Sequence, residues 1–238
     1  MILGVNAELH MFNPRPTIRY IPITGQHTCT VIDDFLAEPH KLVQFAIAQR
    51  SRFAVDPDNY YPGPELDMGS DVARALDEFF MQHVRRALGA RRILHTMTRL
   101  ALATLTGAEL HPLQRLCHRD AITLPPDEGV AASVAYLFDA PELGGTSFYV
   151  PKKSEAETAQ CLQRAADGAL AVAPAYLSQS NEWFEQACTV PAKFNRAIFY
   201  DGTVFHAAQI ERSALLTPDP QHGRLTMNGF FRYRRTAA

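Results

Sequence analysis

The 238-residue chain sets 23 Lys and Arg against 25 Asp and Glu, a formal charge of -2, and is 47% hydrophobic and 10% aromatic. That apolar content can bury a sizeable core in one domain, while scattered basic residues and a pI near 6.5 argue against a dedicated nucleic-acid surface. No apolar run approaches the roughly 18 residues that span a bilayer, Cys29, Cys117, Cys161 and Cys188 form no C-x-x-C pair, and MILGVNAELH lacks the features of a secretion signal, so a soluble protein of the reduced cytoplasm, with small-molecule or peptide partners, is expected.

CTVIDDFL (29–36) reads as a buried strand, and PHKLVQFAIAQR, which opens on proline and carries apolar residues at helical spacing, predicts a helix. DPDNYYPGPELDMGS (56–70) is dense in turn formers and predicts a loop. Ser70 is placed to cap a helix whose Val72, Leu76, Phe79, Phe80, Val84 and Leu88 form one apolar stripe ending near Gly89. From about residue 92 the period shifts to two, and ILHTMTRLALATL, ELHPLQRL, VAASVAYLFD, TSFYV, FNRAIFYD, VFHAAQI and RLTMNGFFRYR predict strands. A helical insert over 154–188 interrupts them. The pattern is mainly β with flanking helices, a sandwich or jelly roll: one domain over 1–238, with 1–91 as a helical buttress and 92–238 as the β core.

The chemistry concentrates in CHRDAITL (117–124), where His118 and Asp120 stand two apart. Chance yields roughly 0.5 His-x-Asp matches in a chain of this composition, so the pair needs support. Alternation along an extended segment puts both side chains on one face, and His206, entering an apolar strand after an Asp-Gly turn, can join them. Two imidazoles and a carboxylate on one side of an ion form the facial set that suits non-haem Fe(II) and leaves positions open for substrates. The competing readings are a surface turn with a salt-linked histidine for His118 and Asp120, and a core histidine bonded to a carbonyl for His206.

With that set, AYLFDAPELGGTSFYV (135–150) and RAIFYDGTVFHAAQI resemble the 2-oxoglutarate and Fe(II)-dependent dioxygenase superfamily, in particular its prolyl-hydroxylase-like branch, over about residues 92–235. FLAEPHKLVQFA and YYPGPE resemble a bacterial branch that brings no substrate with it. The resemblance implies a double-stranded β-helix (a cupin-like jelly roll) with His118, Asp120 and His206 as metal ligands and catalytic centre. It implies Fe(II) as cofactor, 2-oxoglutarate as cosubstrate and O2 as oxidant, and hydroxylation of a small molecule or peptidyl side chain with release of succinate and CO2. Asp120 sets the chain apart from halogenating relatives, which lack the carboxylate. Arg224 fits the basic residue that holds the far carboxylate of 2-oxoglutarate, with Thr226 completing the grip; a structural salt bridge is the plainer reading of Arg224.

Two departures stand out. Relatives place the basic residue about ten positions after the distal histidine, whereas Arg224 lies 18 positions on and Arg212 only six, so Arg212 stays open. A tyrosine common a few residues before the first histidine is missing from ELHPLQRLC; His111, Gln114, Arg115 and Tyr136 are the candidates in its place. Gly144 and Gly145 read as a turn, Cys117 as a buried small residue, Trp183 and Phe184 as outer packing or a lid, and Tyr60 and Tyr61 as packing or pocket wall. Two other classes compete: a cupin-like metal- or ligand-binding module without turnover, and a zinc hydrolase, disfavoured because no general base accompanies the triad. Oligomeric state is left open, a homodimer among the options.

Overall fold

The computed structural model describes residues 11–57, 59–121 and 123–236; segment 1–10, read above for a secretion signal, lies outside them. Among the described residues ten strands and three α-helices follow in chain order: β1 (Thr17–Thr24), β2 (His27–Asp33), α1 (Pro39–Ala48), β3 (Glu65–Asp67), α2 (Gly69–His83), β4 (Ala90–Ala103), β5 (Glu128–Tyr136), β6 (Thr146–Pro151), α3 (Glu155–Ala166), β7 (Phe184–Val190), β8 (Arg196–Asp201), β9 (Phe205–Ala208) and β10 (Arg224–Arg235). They form two antiparallel sheets, one of seven strands ordered β1-β2-β8-β5-β10-β4-β3 and one of three ordered β7-β6-β9. This is the jelly roll.

Alternation along β10 explains how the large sheet serves two purposes. Leu225, Met227, Phe231 and Tyr233 face α1 and α2 and are buried there with Leu76, Phe79 and Phe80. Phe80 stacks on Phe231 with ring centroids 4.5 Å apart, and Phe35 meets Phe79 edge-on at 4.9 Å. Arg224, Thr226, Asn228 and Phe230 therefore face the other way, towards the space between the sheets, where Tyr136, Phe148 and Tyr200 pack. A third cluster lies on the far side of the small sheet, where Cys161 and Ala165 of α3 cover Tyr149, Phe205 and Ala207.

Several sequence expectations need correction. ELHPLQRL is no strand: Pro112 opens a short 3-10 turn over Pro112–Arg115, capped by the His111 side chain accepting from Leu113 N. The insert is helical only to Ala166, because Gly168 turns the chain at φ +68°; FEQACTV becomes β7, since pairing with β6 overrides its helix-prone Glu, Gln and Ala. Segment 1–91 is not purely helical, for β1 and β2 form a hairpin that joins the large sheet through β8. Ser70 sits inside α2, and Asp67 Oδ1 accepts from Gly69 N at its start.

The hairpin is tied in by charge. Asp33 accepts from Arg196 Nε at 2.6 Å and Nη2 at 3.2 Å, and from Arg19 Nη1 at 2.7 Å. Burial works to raise the Asp33 pKa, but the Arg196 and Arg19 hydrogen bonds prevail and hold it below the usual value. Its folded value thus lies under its unfolded value of about 3.9, so its contribution is full above that pH and drains as pH falls through the folded value. The stability gap between wild type and Asp33→Asn, measured by urea unfolding across pH, is expected to close below about pH 4. Phe80→Ala is expected to cost about 3–5 kcal/mol in the same assay, whereas Tyr20→Ala, at a 56% exposed site, should stay within about 0.5 kcal/mol.

Candidate metal centre

Beyond the 3-10 turn the chain runs extended and docks on β9. His118 and His206 exchange both backbone hydrogen bonds, His118 N to His206 O at 3.0 Å and His206 N to His118 O at 2.9 Å. Residues paired this way in antiparallel register point to the same face, which brings the imidazoles to a centroid separation of 4.3 Å. Two residues on, Asp120 N donates to Gly202 O at 2.8 Å. Asp120 Oδ1 then lies 3.9 Å from His118 Nε2 and 3.7 Å from His206 Nε2. Among the described residues these three form the one cluster of His, Cys, Asp or Glu placed to share an ion, their ligand atoms all within 4.8 Å of one another.

The details suit a cation. His206 Nδ1 donates to the Val204 carbonyl at 2.9 Å, which fixes the tautomer and leaves Nε2 as a bare acceptor facing Asp120. Asp120 Oδ2 is buried without a hydrogen-bond partner. Two ligands about 2.1 Å from one ion at right angles lie about 3 Å apart, so the two Asp120–histidine separations of 3.9 and 3.7 Å need contract by less than about 1 Å and the widest separation in the set, 4.8 Å, by less than about 2 Å. Burial pulls His206 down to about 4. Burial pushes Asp120 up to about 6. Each group is thus disfavoured in its charged form, and a bound cation would stabilise Asp120 as the anion and both imidazoles as neutral ligands. His118 keeps 58% of its side chain exposed, so the cluster opens to solvent at that edge.

Gly202 makes the approach feasible. A Cβ there would sit 2.8 Å from Asp120 Oδ2 and 3.1 Å from a Val130 methyl, so only a bare backbone lets the carboxylate settle against the turn after β8.

Deeper between the sheets, Arg224 is 3% exposed and donates from Nε to Leu143 O at 3.0 Å and from Nη2 to Gly145 O at 2.9 Å. Among the described residues no carboxylate pairs with it. The Gly144–Gly145 turn supplies part of this cradle and is sterically required: a Cβ on Gly144 would lie 1.6 Å from Gln209 O and one on Gly145 2.0 Å from Val190 O. Thr226 is 1% exposed and its Oγ1 has no partner. Its register neighbour Tyr136 bonds Thr146 Oγ1 at 2.9 Å, and burial pushes the Tyr136 hydroxyl up to about 12. Arg212 is exposed in the loop between β9 and β10.

The residues weighed as substitutes for a tyrosine serve the 3-10 turn instead. His111 caps it, Gln114 Nε2 donates to Tyr60 O at 3.0 Å, and Arg115 donates to the Val172 and Ala108 carbonyls. Sequence reasoning undervalued Tyr61, whose hydroxyl is buried beside Arg224 and Thr226; no spacing rule marks it, because it arrives on a loop. Phe184 is fully buried against Phe205, ring centroids 5.0 Å apart, on the outer face of the small sheet, so that part of the insert is packing and not a lid. Cys117 is buried and its thiol pushed up by that burial, which fits an inert residue. Two surface hollows, of about 670 and 410 Å³, lie against β3–β4 and under residues 170–183; neither holds converging ligands, so chemistry and not volume locates the site.

Comparison with known proteins bears on the fold. The non-heme alpha ketoglutarate dependent carbocyclase SnoK from nogalamycin biosynthesis superposes with a TM-score of 0.52 at 16% identity, covering 87% of this chain and 81% of its own. A Pseudomonas putida prolyl-4-hydroxylase aligns at 0.45 and 15%, over 89% and 94%, and HygX from Streptomyces hygroscopicus, with nickel and 2-oxoglutarate bound, at 0.44 and 14%, over 87% and 83%. No curated protein matches the chain. A family model described as a family of unknown function, DUF6445, matches residues 14–231.

Gly202→Ala tests the cluster without removing a ligand. The variant is expected to lose about 1–3 kcal/mol in urea, because its Cβ crowds Asp120 and Val130, and, still folded, to bind Mn(II), followed by calorimetry, about 10–100-fold more weakly. Unchanged affinity would detach Asp120 from metal binding.

Proposed function

The chain belongs to the DUF6445 family, and from its site we propose that it is an Fe(II)- and 2-oxoglutarate-dependent oxygenase that hydroxylates a small molecule or a peptidyl side chain. The observation that carries this reading is a pair of complementary features that border one aromatic cluster between the sheets: a His-Asp-His cluster, whose His206 ring meets Tyr200 at 4.6 Å, and a buried arginine without an acidic partner, whose guanidinium lies over Phe138. Bound there, Fe(II) with 2-oxoglutarate and O2 supplies the oxidising power to place oxygen on a substrate carbon, with succinate and CO2 released.

The chain's own residues orient and shield. His118, Asp120 and His206 would hold the metal from one side, leaving the opposite side open to cosubstrate and O2. Asp120 contributes the carboxylate whose presence favours hydroxylation over halide transfer. Val204 O, by accepting from His206 Nδ1, aims the ring. Arg224, held by the Leu143 and Gly145 carbonyls, would present its fork to the far carboxylate of 2-oxoglutarate, and Thr226 would add its hydroxyl. Tyr136, engaged with Thr146, forms wall, and Phe148 and Tyr200, edge-on at 5.0 Å, keep that wall dry so that the ion–carboxylate contacts keep their strength.

Anaerobic titration of the Fe(II)-loaded protein with 2-oxoglutarate tests the reading. A weak visible charge-transfer band from a chelated keto acid is expected, and His206→Ala should lose it. No band with iron demonstrably bound would turn the reading to a metal-binding module without oxygenase turnover.

A further inference from the structure

The loop between α1 and β3 is held by specific contacts. Ala54 and Glu65 exchange backbone hydrogen bonds at 3.0 and 2.8 Å, Asn59 Nδ2 donates to Glu65 Oε2 at 2.7 Å, and Asn59 Oδ1 accepts from Tyr61 N at 2.8 Å. Further on, Pro62 O accepts from Thr104 N at 2.9 Å and Pro64 O from Leu102 N at 3.0 Å. Gly63 permits that closeness, since a Cβ there would stand 2.0 Å from Leu102 O. The loop thus lies on the end of β4, where Ala103 and Ala101 pair with Arg224 and Thr226.

Tyr61 reaches inward from this position. Its hydroxyl is buried within reach of Thr226 and Arg224, yet neither it nor the Thr226 hydroxyl makes a hydrogen bond of good geometry. Burial raises the Tyr61 pKa while Arg224 and Thr226 lower it, so the phenol is a neutral donor next to both. A buried polar group short of partners is costly, yet two hydroxyls and a guanidinium without an acid gather here. All three can donate, and the complement they lack is an acceptor with several lone pairs, which a carboxylate provides.

We infer that Tyr61 donates a hydrogen bond to the distal carboxylate of the cosubstrate, so that the loop ahead of β3 completes a pocket otherwise built on β10. The inference rests on the proposed roles of Arg224 and Thr226. It makes the loop a strap whose rigidity depends on the cosubstrate, and that strap also touches the segment leading to His118, because the Tyr60 ring lies 5.5 Å from His111 and Tyr60 O accepts from Gln114.

Calorimetric titration of the Mn(II)-loaded full chain with 2-oxoglutarate is the test, with Tyr61→Phe, Tyr60→Phe and Thr226→Val as variants. Tyr61→Phe is expected to weaken binding about tenfold, the value of one hydrogen bond to a charged group, while its urea midpoint without cosubstrate stays equal or rises. Tyr60→Phe should bind as wild type. Amide exchange in residues 53–64 should slow on adding 2-oxoglutarate to wild type and respond less in Tyr61→Phe. Binding by Tyr61→Phe within twofold of wild type, with Thr226→Val weakened, overturns the role of Tyr61 and leaves the anchor standing. Wild-type binding that neither variant weakens overturns the roles of Thr226 and Tyr61 together, and failure of wild type to bind overturns the functional reading beneath both.

Discussion

The backbone pairing of His118 with His206 is the constraint on which the candidate site depends. The two residues are 88 positions apart in sequence, and two hydrogen bonds between them set their imidazoles side by side and bring Asp120 over Gly202. Everything around the pair serves to hold it in place. The small sheet presents His206 on one face while Phe205 and Ala207, on the other, are locked under α3. His206 thus stands on a strand, and backbone hydrogen bonds pin the extended segment of His118 and Asp120 to that strand and to the turn after β8, which suits a site that must hold ligand atoms to within fractions of an ångström.

Stability and chemistry are divided between the faces of the large sheet. Its outer face is an aromatic and aliphatic layer against α1 and α2, dense enough to sustain the domain. Its inner face carries what a core built only for stability would avoid: Arg224 without an acid, and Thr226 Oγ1 and Asn228 Oδ1 unpartnered, with Asp120 Oδ2 likewise across the cavity. Such groups are tolerated where a ligand satisfies them, and the outer layer offsets their cost in its absence. By contrast, the Asp33–Arg196 pair, on the same inner side, is fully hydrogen-bonded and ties the hairpin to β8.

The N-terminal third does more than buttress. Its helices cover the large sheet, its hairpin widens that sheet, and the loop before β3 lays Tyr61 beside β10. That loop bonds to the end of β4 where β4 pairs with Arg224 and Thr226, so the two parts of the chain are joined by more than helix packing.

How much could be read beforehand follows from the range of each interaction. Periodicity found α1, α2 and the strands β4, β5, β6, β8, β9 and β10, because burial of one face writes itself into local spacing. The residue types in His-x-Asp and the distal histidine pointed to one cluster, and the cluster forms. What the sequence left undecided were features set by distant partners: β7, whose helix-prone residues are overruled by β6; the 3-10 turn before His118, where an apolar spacing mimics a strand; and the surroundings of Arg224 and Arg212, of which a sheet buries the first and a loop exposes the second. Tyr61 is the clearest case. The sequence by itself determined the chemistry available, two imidazoles, a carboxylate and an arginine on strand-like segments. Only the tertiary structure decided which groups meet, because hydrogen-bond pairing and a loop's path act between residues that no local period connects.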